Sequence, residues 1–170
     1  MHQIVTQIDI AASPERVWSI LTDFPAYPQW NPFIHAISGA TKPGEKLRVT
    51  IQPEGRRAMA FRPRVLKAAN QQELRWLGRL GIPGLFDGEH YFQLTTIGNG
   101  HTRFTQGEQF SGILVGVFLS SMEAATKAGF QAMNQALKNR AEANGEWNLV
   151  DMADIRVLRE TTQKYSYAKL

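Results

Sequence analysis

Residues 113–143 read ILVGVFLSSMEAATKAGFQAMNQALKNRAEA, and this stretch decides the fold. It holds no proline, and Gly116 and Gly129 are its only glycines, so nothing in it breaks a helical hydrogen-bond ladder. Leu119, Met122, Thr126, Phe130, Met133 and Leu137 recur at helical spacing and make one mostly apolar stripe. Glu123, Lys127, Gln131, Asn134, Lys138 and Glu142 fall on the opposite face, with Glu123 placed ahead of Lys127 in the favourable order. Ser120 with Glu123 predicts a capping box and a regular helix beginning near Ser121 after a looser turn. Asn144 and Gly145 predict its end.

The helix mixes sizes. Ala124, Ala125, Ala128, Ala132 and Ala136 are small, whereas Met122, Phe130 and Met133 are large. Small residues let a helix lie close to a sheet or leave room beside it, and methionine fills irregular gaps and adapts to ligands. The stripe therefore reads either as a packed core or as one wall of a cavity.

Upstream the chain reads as strands. Ile4, Thr6, Ile8 and Ile10 alternate with Gln3, Val5, Gln7 and Asp9, the pattern of a half-buried strand. Ser13 then caps a helix with Pro14 at its first position, and Val17, Trp18 and Leu21 form its apolar face. Pro25 and Pro28 interrupt it, with a second short helical turn at 28–30. Strands follow at 33–38 and over Leu47, Val49 and Ile51. One long strand carries Met59, Phe61 and Val65 and ends near Ala69. Leu74 and Trp76 mark another, and 86–97 and 102–111 two more. The short connections predict an antiparallel meander. An α+β fold results: a curved sheet of about seven strands closing on one long helix, with two short helices after the first strand.

Composition narrows the class. A chain of 170 residues makes one domain with a sizeable core. Cysteine is absent, which excludes disulfides and thiol catalysis within it. No apolar run is long enough for a transmembrane segment, and MHQIVTQIDI does not resemble a signal peptide, so a cytoplasmic location is expected. The net charge of +4 comes with clusters at Arg56 and Arg57, Arg62 and Arg64, and Arg75 and Arg79. Their strand-like alternation predicts a solvated sheet face, and no nucleic acid is expected as a partner. His2, His35, His90 and His101 lack ligand spacing, so no metal is expected, and no phosphate loop or nucleophile elbow points to a cofactor or a serine enzyme.

Several stretches are similar to one known family. Residues 8–24 (IDIAASPERVWSILTDF) and 27–32 (YPQWNP) resemble the first strand, helix and turn of the polyketide cyclase/START-like superfamily. That superfamily has the helix-grip fold, is also called SRPBCC, and includes the birch-pollen-allergen-like proteins. Residues 76–78 (WLG), 84–90 (GLFDGEH) and 107–112 (GEQFSG) resemble its bacterial polyketide cyclase or dehydrase-like subgroup. The resemblance spans about residues 3–143. It implies a ligand-binding helix-grip domain over 1–145 and leaves 146–170 as an extension, whose Leu149, Met152, Ile155 and Leu158 suggest partial helix. Relatives bind lipids, hormones, quinones or polyketides, and some are enzymes.

The last hairpin carries the chemistry. A three-residue loop at Gly98–Gly100 sets Leu94 opposite Phe104, Phe92 opposite Gln106, His90 opposite Glu108 and Gly88 opposite Phe110. The aromatic residues on that face turn it inward, which makes His90 and Glu108 neighbours inside. An imidazole beside a carboxylate can satisfy itself, hold a polar group of a ligand, or act as an acid/base pair. Trp30, Phe61, Trp76, Phe86, Phe92, Phe110, Met122 and Phe130 are candidate walls, and Gln106 a further polar contact. The expected partner is a small hydrophobic molecule. A cyclase- or dehydratase-type enzyme using His90 and Glu108 is the alternative, and an interaction module working through the basic face or the tail a third. The oligomeric state stays open.

Overall fold

The computed structural model describes residues 2–53, 55–79, 81–98 and 100–143, without the side chains of 118–121. Asn144, Gly145 and the extension 146–170 lie outside the described residues. β1 (His2–Ile10) buries Ile4, Thr6 and Ile10 and exposes Gln3, Val5, Gln7 and Asp9. Ser13 caps α1 (Pro14–Thr22) by accepting the Arg16 amide at 3.3 Å, with Pro14 in the first turn. A 3₁₀ turn (Phe24–Ala26) fills the interruption at Pro25 and leads into the single turn of α2 (Tyr27–Trp30). Strands β2 (Ile34–Ser38), β3 (Arg48–Ile51), β4 (Met59–Phe61), β5 (Arg64–Ala69), β6 (Glu73–Arg79), β7 (Asp87–Thr96) and β8 (Thr102–Ser111) follow, then α3 (Val115–Glu142).

Among the described residues all the strand pairs are antiparallel. One sheet has the order β1-β8-β7-β6-β5 and a second the order β2-β3-β4. The expected long strand ending near Ala69 is therefore two strands in two sheets. The break falls at Arg62 and Pro63, because proline has no N–H to give to a ladder. The Pro63 carbonyl still accepts the Leu47 amide at 2.9 Å, and Val65 N–H donates to Glu45 at 2.8 Å. These bonds hinge the small sheet onto the edge of the large one.

α3 lies mainly along β1, with further contact to β8, α1 and α2. It starts at Val115 and runs through Ser120 as helical backbone, so no capping box begins it. The early start follows from the amides of Ile113 and Leu114, which bond the Gly84 and Leu85 carbonyls and launch the helix directly off β8. Phe130, Met133 and Leu137 are fully buried, each worth about 1.5–3 kcal/mol relative to exposure. Asn134 departs from the expected polar face. It is buried, and its side-chain amide donates to Thr6 Oγ1 at 2.9 Å across the helix–β1 seam. Among the described residues no helix is long and apolar enough to cross a membrane.

The outer face of the large sheet is not uniformly solvated, as Arg75 shows. Its guanidinium bonds Glu73 at 2.6 Å and Glu89, and covers the Tyr91 ring at 4.8 Å. Burial would raise the Glu73 carboxyl, but hydrogen bonds from Lys67 and Arg75 outweigh it and hold the group below its usual range.

One close approach seats the helix. A Cβ on Gly129 would lie 2.2 Å from the Phe33 ring, which itself packs edge-on against Phe130 at 5.4 Å. Alanine in place of glycine ordinarily gains about 1 kcal/mol in a helix. Here overpacking against Phe33 costs about 1–3 kcal/mol and wins. Gly129→Ala is expected to lower the urea midpoint, whereas Gly116→Ala, with nothing within 4 Å of its Cβ, leaves it unchanged or raises it.

Candidate functional site

The interior divides into a solid half and a hollow half. Toward the C-terminal end of α3, Phe92, Leu94, Phe104, Met133 and Leu137 belong to one continuous core. Toward its N-terminal end a cavity of 600 Å³ opens between the two sheets and the helix. The small sheet contributes Val49, Ile51, Met59 and Phe61. The large sheet contributes Trp76, Gly88, His90, Glu108 and Phe110, and α3 contributes Met122 and Thr126.

Seven of the candidate residues come together on this lining: Phe61, Trp76, Phe86, His90, Glu108, Phe110 and Met122. The other four do not lie on it. Trp30 packs on Tyr27, with ring centroids 5.0 Å apart. Phe92, Gln106 and Phe130 are fully buried and form the layer behind the wall. Gly78, Arg62 and Arg79 also line the cavity without having been candidates. Gly78 was findable, since it stands opposite Gly88 on the inward face of β6 and β7.

His90 is fixed from several sides. The hairpin register pairs it with Glu108 on β8 and with Trp76 on β6. Its ring stacks on Trp76 at 4.9 Å and 9° and meets Phe92 and Phe130 edge-on at 4.7 and 5.1 Å. Only 5% of it is exposed, so its two ring nitrogens are its remaining freedom. Gln106 Nε2 sits 3.4 Å from His90 Nε2 and also donates to Met133 Sδ at 3.5 Å. With the amide nitrogen turned toward the ring, the imidazole nitrogen accepts, and the ring proton of the neutral form then sits on Nδ1. Nδ1 faces Glu108 Oε2 at 3.8 Å, an electrostatic contact too long for a hydrogen bond.

Gly88 makes room for that carboxylate. A Cβ there would stand 2.5 Å from Glu108 Oε1. Glu108 is partly open to the cavity, with 23% of its side chain exposed, while His90 is enclosed. An apolar chamber thus presents one imidazole N–H and one carboxylate side by side. That pair can grip a hydroxyl or carbonyl, or pass a proton to and from it.

The chain matches, over residues 1–142, the family described as polyketide cyclase / dehydrase and lipid transport. It belongs to this family. Solved structures of START-like relatives agree in fold. A START superfamily protein from Mycobacterium smegmatis superposes with a TM-score of 0.66 at 24% identity, covering 84% of this chain and 98% of the other. The Zhui aromatase/cyclase from Streptomyces sp. R1128 superposes with a TM-score of 0.67 at 15% identity, covering 83% and 93%. No curated protein matches the chain. The polyketide cyclase-like assignment and the helix-grip fold, a sheet gripping a long C-terminal helix, therefore hold for this chain.

The tautomer is directly testable. Nitrogen-15 imidazole spectra of the neutral ring are expected to show His90 protonated on Nδ1, and Gln106→Leu to shift the population toward Nε2–H. An Nε2–H ring in the unaltered protein would contradict the assignment.

Proposed function

We propose that the protein binds a small hydrophobic or aromatic molecule, of lipid, quinone or polyketide-like character, inside the cavity between sheets and helix. The observation that carries this reading is the cavity itself, whose 600 Å³ lies within the range of ligand pockets and whose walls are mostly apolar and aromatic. Trp76, Phe61, Phe86 and Phe110 suit a flat or chain-like apolar body, and His90 with Glu108 supplies one polar anchor. The family's lipid-transport members support the same reading.

Gly78 gives a clean test. A Cβ on it meets only ordinary contacts, the nearest at 3.8 Å, and the strand alternation aims it inward. Calorimetric titration with a panel of lipids, quinones and aromatic polyketides is expected to give saturable binding with a negative heat-capacity change. Gly78→Phe fills the space and is expected to weaken binding at least about tenfold, or about 1.4 kcal/mol, with the fold retained. Unchanged affinity in that variant argues against the cavity as the site.

A second reading rests on the imidazole–carboxylate pair facing the cavity. It is a cyclase- or dehydratase-type reaction in which His90 and Glu108 move protons while the walls fold the substrate. Turnover whose pH profile is lost in both His90→Ala and Glu108→Gln supports it. Binding without turnover in the intact protein removes it.

A further inference from the structure

The cavity changes character along its length. His90 and Trp76 stand opposite each other at its inner end, Gly78 and Gly88 come next, and Arg79 and Asp87 end the same two strands at the rim. Arg62 also lines the rim, from the neighbouring sheet. The β5–β6 register pairs Arg64 with Leu77, so the chain that enters β5 runs beside the end of β6. The Pro63 side chain, 3.9 Å from the Cβ position of Gly78, keeps the two segments adjacent.

Arg62 and Arg79 are both exposed and both border the cavity. Asp87 answers one of them, its Oδ2 lying 3.6 Å from Arg79 Nε while accepting the Gly84 amide at 3.2 Å. Among the described residues Arg62 has no carboxylate partner. A smaller cleft of 240 Å³, lined in part by Arg56 and Arg57, shares Met59, Met122 and Thr126 with the main cavity. The inner end has the opposite bias, because Glu108 disfavours a second anion there.

We propose that the cavity takes an acidic amphiphile, its apolar body inside and a carboxylate or phosphate group held at the rim by Arg62 and Arg79. This rests on the ligand-binding reading above and adds the ligand's charge and its direction of entry. Guanidinium recognises both oxyanions through paired N–H donors, and the exposed rim makes the contact sensitive to salt.

The test titrates the full chain with dodecanoate, dodecyl phosphate and dodecanol, and with a naphthoate and the matching naphthylmethanol. The anions are expected to bind at least about tenfold more tightly than their alcohols. That preference should shrink as salt is raised and vanish in the Arg62→Gln/Arg79→Gln double variant. Arg48→Gln, an exposed change on β3 away from the lining, should keep it. A stronger response to the phosphate or to the carboxylate identifies which oxyanion the rim suits. Equal binding of acids and alcohols overturns this proposal and leaves the ligand-binding reading standing. Binding of none of the five probes overturns this proposal, and the panel of lipids, quinones and aromatic polyketides then decides the ligand-binding reading.

Discussion

One helix must bury its apolar stripe against a sheet that curves away from it, and the rest of the structure depends on how far that burial reaches. Phe130, Met133 and Leu137 fill the concave face along the last turns of α3. Farther back the helix offers Met122, Ala125 and Thr126, and the opposing wall is a separate three-stranded sheet. Ala125 and Thr126 are small beside Met122, and the facing strands do not occupy the space they leave. The close seat of Gly129 on Phe33 marks the point where solid packing gives way to cavity.

A histidine at that boundary is costly to enclose, and its surroundings show how the cost is met. Aromatic rings take its faces and edges, Gln106 takes one nitrogen, and the other is turned toward Glu108. Buried polar groups that keep one unsatisfied direction are suited to meet something that arrives there. The Glu108 carboxylate is held in that direction because Gly88 has no side chain to displace it. Recognition and proton transfer would use the same two groups, and which occurs depends on the ligand's own reactivity.

Much of this could be read from the sequence, for definite reasons. Strict alternation in β1 and the Ser13–Pro14 signal are local, and local signals survive folding. The loop between Gly98 and Gly100 fixes the β7–β8 register, and register alone makes His90 and Glu108 neighbours. What alternation cannot give is depth. Phe92, Gln106 and Phe130 share the inward side with Trp76 and His90 yet sit a layer behind the lining. The division at Pro63 was hidden because the apolar pattern runs on through it, while the chain crosses from one sheet to the other. Asn134 was misplaced on the polar face because its partner, Thr6, is far away in sequence. Arg62 and Arg79 looked like solvent-facing strand residues, and their place at a cavity rim arises only when the two sheets meet.

The central claim is that the hollow half of the core exists to hold a molecule. Native mass spectrometry of freshly purified protein, followed by extraction and identification of what it carries, tests it most directly. The account predicts a defined apolar compound bound one to one, absent from protein in which the cavity has been filled. Protein that emerges empty, and stays empty after exposure to lipids, quinones and aromatic polyketides, would contradict it.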